Sequence, residues 1–175
     1  MNKQIGMGVL FMSLFGVMAA HAHEEPQMKP GTPEFQQIKK LVGKWKGTSS
    51  PMGSSAKPEP VTTEFRLTSA GSAVEETLMK GTPHEMVDMY TDEAGNLAMT
   101  HYCAMGNQPH MVMKSLGPRQ INLEMVPTLG IDANSSHMHA LTLEFPDANH
   151  LTERWISYSN GKPAETVVFT LVRVK

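Results

Sequence analysis

The sequence is poor in cysteine: its 175 residues include only Cys103, so no disulfide can form within the chain. The fold must therefore be stabilised by its core and not by covalent cross-links. Methionine, by contrast, is abundant, with 15 residues spread along the chain. Methionine side chains fill irregular apolar spaces, and their thioethers also ligate soft metal ions, so the abundance is compatible with a core or with a binding surface.

The sequence also lacks any concentration of positive charge. Its 15 basic residues are outnumbered by 17 acidic ones, and no basic run or basic-aromatic stripe occurs. These absences argue against nucleic acid as a partner. Phosphate-binding loops, dinucleotide fingerprints, zinc-protease helices and serine-hydrolase elbows are missing as well, so no motif indicates an enzyme class.

One long apolar run is present, near the N-terminus. It extends from Ile5 to Ala20 behind the charge of Lys3, and Ala20 and Ala22 form the small-x-small pattern that signal peptidase cleaves. We therefore predict a signal peptide over residues 1–22 and a periplasmic or secreted protein. A retained anchor helix is the alternative, although the run is short and rich in glycine for a membrane span. No later segment predicts a span in the mature form.

The segment after the predicted cleavage site contains one short helix. Residues 23–31 are polar, include two prolines and predict a flexible leader. The helix should begin next, because Thr32 can cap it, Pro33 suits its first position and Glu34 favours its first turn. Gly43 should end it, and its apolar face should comprise Phe35, Ile38, Leu41 and Val42.

Beyond Gly43 the apolar residues alternate with a period of two and are punctuated by turn residues, which predicts strands. Short turns between successive strands indicate antiparallel neighbours, so residues 32–175 predict a single all-β domain, an up-and-down barrel. The ten predicted strands are 43–49, 61–68, 72–80, 84–91, 97–105, 109–116, 120–126, 136–145, 151–159 and 164–174.

The two ends of such a barrel should differ, because successive turns alternate between them. The helix would plug one end, together with Trp45 and Arg173, which we interpret as structural. The other end would carry the long loops 50–60 and 127–135, with 50–60 as a lid. A plugged end and an end with long loops are typical of a binding barrel.

Parts of the sequence resemble known barrel families. Segment 41–47 (Leu-Val-Gly-Lys-Trp-Lys-Gly) resembles the G-x-W start of calycin-type barrels, including nitrobindin-like ones, and 169–173 (Phe-Thr-Leu-Val-Arg) looks like their closing strand. Segments 84–86 (His-Glu-Met) and 100–109 (Thr-His-Tyr-Cys-Ala-Met-Gly-Asn-Gln-Pro) are similar to an uncharacterised bacterial family of lipocalin-like proteins. The resemblance implies a calycin-like fold but no activity.

Candidate site residues follow from the alternation of side chains across strands. If residues 92–95 form the turn, Thr91 opposes Asn96 and His84 opposes Cys103. One face of that hairpin then carries His84, Met86, Met99, His101, Cys103 and Met105. Strand 136–145 should point its apolar residues inward and with them two histidines, the full set being His137, His139, Leu141, Leu143 and Phe145. Met111 and Trp155 complete the predicted ligand-binding residues.

Metal binding is a second interpretation of the same residues. His101-x-Cys103 and His137-x-His139 each place two side chains on one face, and imidazole and thiolate suit Cu or Zn. Thioethers such as Met86 would favour Cu(I). The nitrobindin-like resemblance implies haem held by a histidine of the closing strand, but residues 164–175 contain none, so that ligand is not carried over.

Three functions remain open from the sequence. The first is a non-enzymatic exported protein that binds a small, largely apolar molecule in a methionine-lined cavity with a histidine-rich mouth. The second is a Cu, Zn or haem-handling protein, and the third is a small-molecule enzyme with a histidine as acid or base. The identity of the ligand, any cofactor and the oligomeric state are not determined at this level.

Overall fold

A computed structural model describes residues 31–51 and 57–175 of the chain. The predicted signal peptide, the leader up to residue 30 and the centre of the predicted lid (52–56) lie outside the described residues. Among the residues that are described, no helix combines the length and apolarity needed to cross a membrane.

Ten antiparallel strands close into one barrel, so the predicted fold class is confirmed. Each strand pairs with its neighbours in sequence, and β1 pairs with β10 to complete the ring. The strands are β1 (Gly43–Pro51), β2 (Glu59–Thr68), β3 (Ala73–Leu78), β4 (Met86–Glu93), β5 (Asn96–Tyr102), β6 (His110–Gly117), β7 (Gln120–Met125), β8 (His137–Asp147), β9 (His150–Ser159) and β10 (Lys162–Arg173). A single 3₁₀ turn at Ser69–Gly71 joins β2 to β3.

Helix α1 (Pro33–Lys39) covers one end of the barrel, which we call the closed end. Its start follows the prediction: the Thr32 hydroxyl accepts a hydrogen bond from Phe35 N at 3.3 Å. Asp92 binds Thr32 N at 2.6 Å and so ties the helix to the turn after β4. The helix ends earlier than predicted, and Val42 is 40 % exposed rather than on the buried face, because the chain has left the helical period by then.

Trp45 and Arg173 seal the closed end. The Trp45 indole is 1 % exposed and donates to Leu41 O at 2.8 Å. The Arg173 guanidinium lies 4.3 Å from the centre of that indole and donates to Val42 O at 2.8 Å and to Lys40 O at 2.7 Å. The guanidinium thereby satisfies carbonyl groups that the end of the helix leaves free.

The hairpin of β4 and β5 has a shorter turn than predicted. Glu93 pairs with Asn96, so the turn consists of Ala94 and Gly95 alone, both with positive φ (54° and 87°). Such a turn matches the twist of the flanking strands. The pairing is therefore displaced by two residues from the predicted one, and His84 lies before β4, exposed. Because the displacement is even, the predicted faces of these two strands are retained.

Candidate functional site

We call the end of the barrel away from helix α1 the open end. A cavity of about 210 Å³ opens there, between the strand ends. Two larger depressions, of about 520 and 920 Å³, flank the helix on the outside of the closed end. The open-end cavity differs from them in reaching the buried ring of His101. It is lined by Ser49, Leu78, Met79, Met86, His101, Met138, Trp155, Val167 and Phe169.

The methionines around this cavity are only partly those predicted. Met86 lines it as expected, and Met79 and Met138 join it. Met99 and Met111 do not line it: they pair across β5 and β6 and are fully buried in the core nearer the closed end. The cavity thus has a pliable thioether wall, while Met99 and Met111 fill the core.

His101 lies on a lateral row of polar side chains inside the barrel. Glu76 pairs with Asp88 across β3 and β4, and Asp88 pairs with His101 across β4 and β5. All three side chains are buried. Asp88 Oδ1 lies 2.6 Å from His101 Nδ1, which makes this a buried ion pair when the imidazole is protonated.

The charge state of His101 is set by that carboxylate. Burial by itself lowers the pKa of His101, but the facing charge and hydrogen bond of Asp88 outweigh it and raise the pKa to about 10. His101 is therefore an imidazolium at neutral pH. Its ring lies 4.9 Å from the ring centre of Trp155, a distance at which the indole face stabilises a cation.

The carboxyl group of Glu76 lies near that of Glu153, which extends from the nearly opposite wall of the barrel. Tyr90 Oη donates to Glu76 Oε2 at 2.8 Å, and Trp155 Nε1 donates to Glu153 Oε2 at 3.1 Å. The two carboxyl groups are close enough across the lumen for each to affect the pKa of the other. Two negative charges at this separation in a buried site repel each other, which favours a proton on one of them.

The pKa values of these acids show where that proton is held. Burial, followed by the charges of Glu153 and Asp88, raises the pKa of Glu76 well above its usual range. Burial also raises the pKa of Glu153, to about 7, although hydrogen bonds from Glu76 and Trp155 oppose the shift. These shifts favour the protonated form of Glu76, and Glu153, with a pKa of about 7, is close to half ionised at neutral pH.

These residues form a polar cluster, which we define as Glu76, Asp88, Tyr90, His101 and Glu153; sequence reasoning predicted His101 and missed the other four. A signal was present, because each acid occupies an inward position of its strand. Glu76 lies between Val74 and Leu78, and Glu153 between Leu151 and Trp155, all of them buried. An acid in the inward register of an alternating strand indicates a buried polar site.

Of the residues predicted beside His101, neither His84 nor Cys103 lines the cavity. His84 is exposed in the connection between β3 and β4, contrary to its predicted position opposite Cys103. Cys103 is half-buried at the end of β5. Burial raises the pKa of its thiol, but the nearby His101 and the backbone N–H of Met105 more than compensate, so the pKa is lowered.

His137 and His139 extend from the outer face of the barrel wall and not into the lumen as predicted, although His137 is buried there (2 % exposed) beside His139 and Tyr158. Met138 pairs with Ser157 and Ala140 with Ile156, which leaves His139 as an extra residue in β8. Such a bulge reverses the alternation, so Met138 points inward. The His139 ring stacks on Tyr158 at 3.7 Å, and its Nε2 is 3.6 Å from Glu124 Oε1.

The predicted metal ligands are therefore separated by the barrel wall. His101 lies inside the barrel and Cys103 lies at its rim. On the outer face, His137 hydrogen-bonds both Ser135 O and His139 Nδ1. Within residues 31–51 and 57–175, no three His, Cys, Asp or Glu side chains are arranged to hold a metal ion. Haem does not fit the resemblance-based site either, because the closing strand β10 contributes Val167 and Phe169 to the cavity and no iron ligand.

Comparisons with protein-family models and with curated proteins found no match to this sequence. Solved structures are similar in fold. Rv2717c from M. tuberculosis has a TM-score of 0.54 and 15% identity, with 83% of this chain and 100% of that chain covered. A protein of unknown function of the DUF3598 family, from Nostoc punctiforme, has a TM-score of 0.53 and 14% identity over 79% of this chain, which spans 49% of its length. At these identities the likeness shows a shared β-barrel fold alone.

Proposed function

We propose that this barrel binds a small, largely apolar molecule in the open-end cavity, in the periplasm or outside the cell. The observation that carries the proposal is the cavity itself: about 210 Å³ lined mainly by methionine, aliphatic and aromatic side chains. Burial against such a lining is favourable by roughly 25 cal/mol per Å² of apolar surface.

The size of the cavity restricts the ligand. An engineered apolar cavity of about 150 Å³ in another protein accommodates benzene. A cavity of about 210 Å³ therefore accommodates a single ring with a short substituent, or an aliphatic molecule of similar volume. The methionines Met79, Met86 and Met138 give the wall enough freedom to adjust to related shapes.

The proposal is tested by titrating the purified protein with cumene, a substituted benzene of suitable size, and measuring the affinity by calorimetry. We expect stoichiometric binding with a dissociation constant below about 1 mM, near 4 kcal/mol of binding free energy. Met138→Trp should fill the cavity and weaken binding at least about tenfold. Met105→Trp is the matched control, because Met105 is 53 % exposed and does not line the cavity.

Val167→Phe provides a second way to fill the cavity, in case Met138→Trp destabilises the barrel. Both fillings should leave the unfolding transition cooperative while reducing cumene binding. Unchanged affinity in a folded, cavity-filled variant would show that the ligand site lies elsewhere.

A further inference from the structure

His101 brings a charged ring to the lining of the cavity. The side chain of His101 is 1 % exposed, and Nδ1 is occupied by Asp88 at 2.6 Å. The remaining nitrogen, Nε2, has no hydrogen-bond partner among the described residues. The Cys103 thiol is close enough to affect the pKa of His101, but it lies outside hydrogen-bonding geometry with Nε2.

An unsatisfied donor in this position is costly. A buried polar group without a partner loses its hydration and gains nothing in return, and the loss is larger for a charged group. The lining around His101 offers thioether sulfur and hydrocarbon, with Ser49 as the other polar residue. Thioether sulfur is only a weak acceptor. Neither these sulfur atoms nor Ser49 hydrogen-bonds Nε2 among the described residues, so an acceptor for Nε2 has to be supplied by what occupies the cavity.

The surrounding charges decide what kind of acceptor fits. The imidazolium of His101 is already balanced by Asp88, so the pair carries no net charge. Behind it, Glu76 and Glu153 add only acidic groups. Among the described residues, no Lys or Arg lines the cavity. An anionic ligand would lose its hydration without meeting a net positive charge, whereas a neutral acceptor needs only the one donor.

We propose that the ligand class of this cavity is small apolar molecules that carry a neutral carbonyl-type acceptor, which accepts a hydrogen bond from His101 Nε2. The inference rests on the proposed function, because it assigns the chemistry of the molecule that the same cavity binds. The apolar body supplies most of the affinity, and the carbonyl determines which apolar molecules are preferred.

Three probes of similar shape and equal numbers of non-hydrogen atoms test the inference: acetophenone, cumene and benzoate. They differ in carrying a neutral acceptor, no acceptor and an anionic acceptor. Cumene leaves water more readily than acetophenone does, so the association constant of each neutral probe is divided by its partition coefficient from water into cyclohexane, which forms no hydrogen bonds. After this correction acetophenone should bind at least about tenfold more tightly than cumene. Benzoate should bind at least about tenfold more weakly than acetophenone in uncorrected terms.

The role of Nε2 is tested separately by His101→Phe combined with Asp88→Asn, so that no carboxylate is left unpaired in the core. This variant should lose the corrected preference for acetophenone and retain cumene binding. His150→Phe is the control, because His150 is exposed at the start of β9, near the closed end, and pairs with Asp147. If the double variant does not fold, the comparison of the three probes on the wild-type protein still decides the question.

The outcomes separate the two proposals. Absence of binding by both cumene and acetophenone would refute the proposed function. Binding of cumene with no corrected advantage for acetophenone would overturn the inference alone, because it would mean that solvent in the cavity already satisfies Nε2. Tighter binding of benzoate than of acetophenone would overturn the argument from charge.

Discussion

The buried pair of Glu76 and Glu153 makes the stability of this barrel depend on pH in a direction opposite to that of most carboxylates. The perturbation that tests this is Glu153→Gln. A glutamine at this position can still accept the hydrogen bond that Trp155 Nε1 now donates to Glu153 Oε2. The amide is close to the carboxyl group in size and does not ionise, so the local packing is retained while the titration is removed.

The sign and size of the effect follow from the pKa of Glu153. Burial raises that pKa from 4.5 to about 7 in the folded protein. Between these values the folded state keeps a proton that the unfolded chain has released, so the free energy of unfolding decreases as pH rises. The stability that the protonated Glu153 contributes is fully present below pH 4.5 and is lost as pH rises through 7. At about 1.4 kcal/mol per pH unit, the loss amounts to roughly 3 kcal/mol.

The free energy of unfolding of Glu153→Gln should therefore increase relative to that of the wild type as pH rises. We expect the difference in free energy of unfolding, variant minus wild type, to increase by about 2–3 kcal/mol between pH 5 and pH 8. The slope of this difference against pH identifies the titration of Glu153, because any packing cost of the amide is the same at every pH. Glu76 retains part of the wild-type dependence, since its own pKa is raised mainly by burial.

The assay is equilibrium urea denaturation at pH 5, 6, 7 and 8, followed by far-ultraviolet circular dichroism. Glu165→Gln is the matched control, because Glu165 is exposed on the neighbouring strand β10 and should give a constant difference across this range. A difference for Glu153→Gln that is also constant, to within about 0.5 kcal/mol, would refute the reasoning and mean that Glu153 does not titrate near neutral pH.

Two further predictions concern the closed end of the barrel and the N-terminus of the chain. Trp45→Ala should lower the free energy of unfolding by about 3–5 kcal/mol, because it leaves a cavity at the closed end and removes the surface on which Arg173 packs. The affinity of the folded fraction for cumene should stay unchanged. An unchanged melting temperature would contradict its role in the core. Exported protein should begin at His23, as N-terminal sequencing can establish; retention of residues 1–22 in exported material would contradict the predicted cleavage.

The alternation of apolar residues was sufficient to predict the class of fold. Inward positions such as Phe65, Leu123 and Leu141 recur with a period of two, and short turns separate the strands, so ten antiparallel neighbours follow. The start of helix α1 was equally accessible, because capping depends on Thr32 and the residues next to it. Trp45 and Arg173 were recognised through their resemblance to other barrels, and the structure brings them into contact.

Register and side-chain direction were less accessible. The two-residue turn at Ala94 and Gly95 moved the β4–β5 pairing by two positions, which displaced His84 but changed no face. The bulge at His139 had the greater consequence, because one extra residue reverses the alternation and transfers both histidines of β8 to the outside. Nothing in the sequence distinguishes a bulge there from continuous pairing.

The sequence by itself determined that the chain forms a barrel with one plugged end, because strand alternation, turns and helix caps are local properties. Only the tertiary structure decided which polar groups meet inside. Glu76 and Glu153 are far apart in sequence and on nearly opposite walls, and their contact depends on how the barrel closes around its lumen. The same closure buries His101 beside Asp88 with one nitrogen unpaired, so the chemistry of the cavity is a consequence of packing and not of any motif.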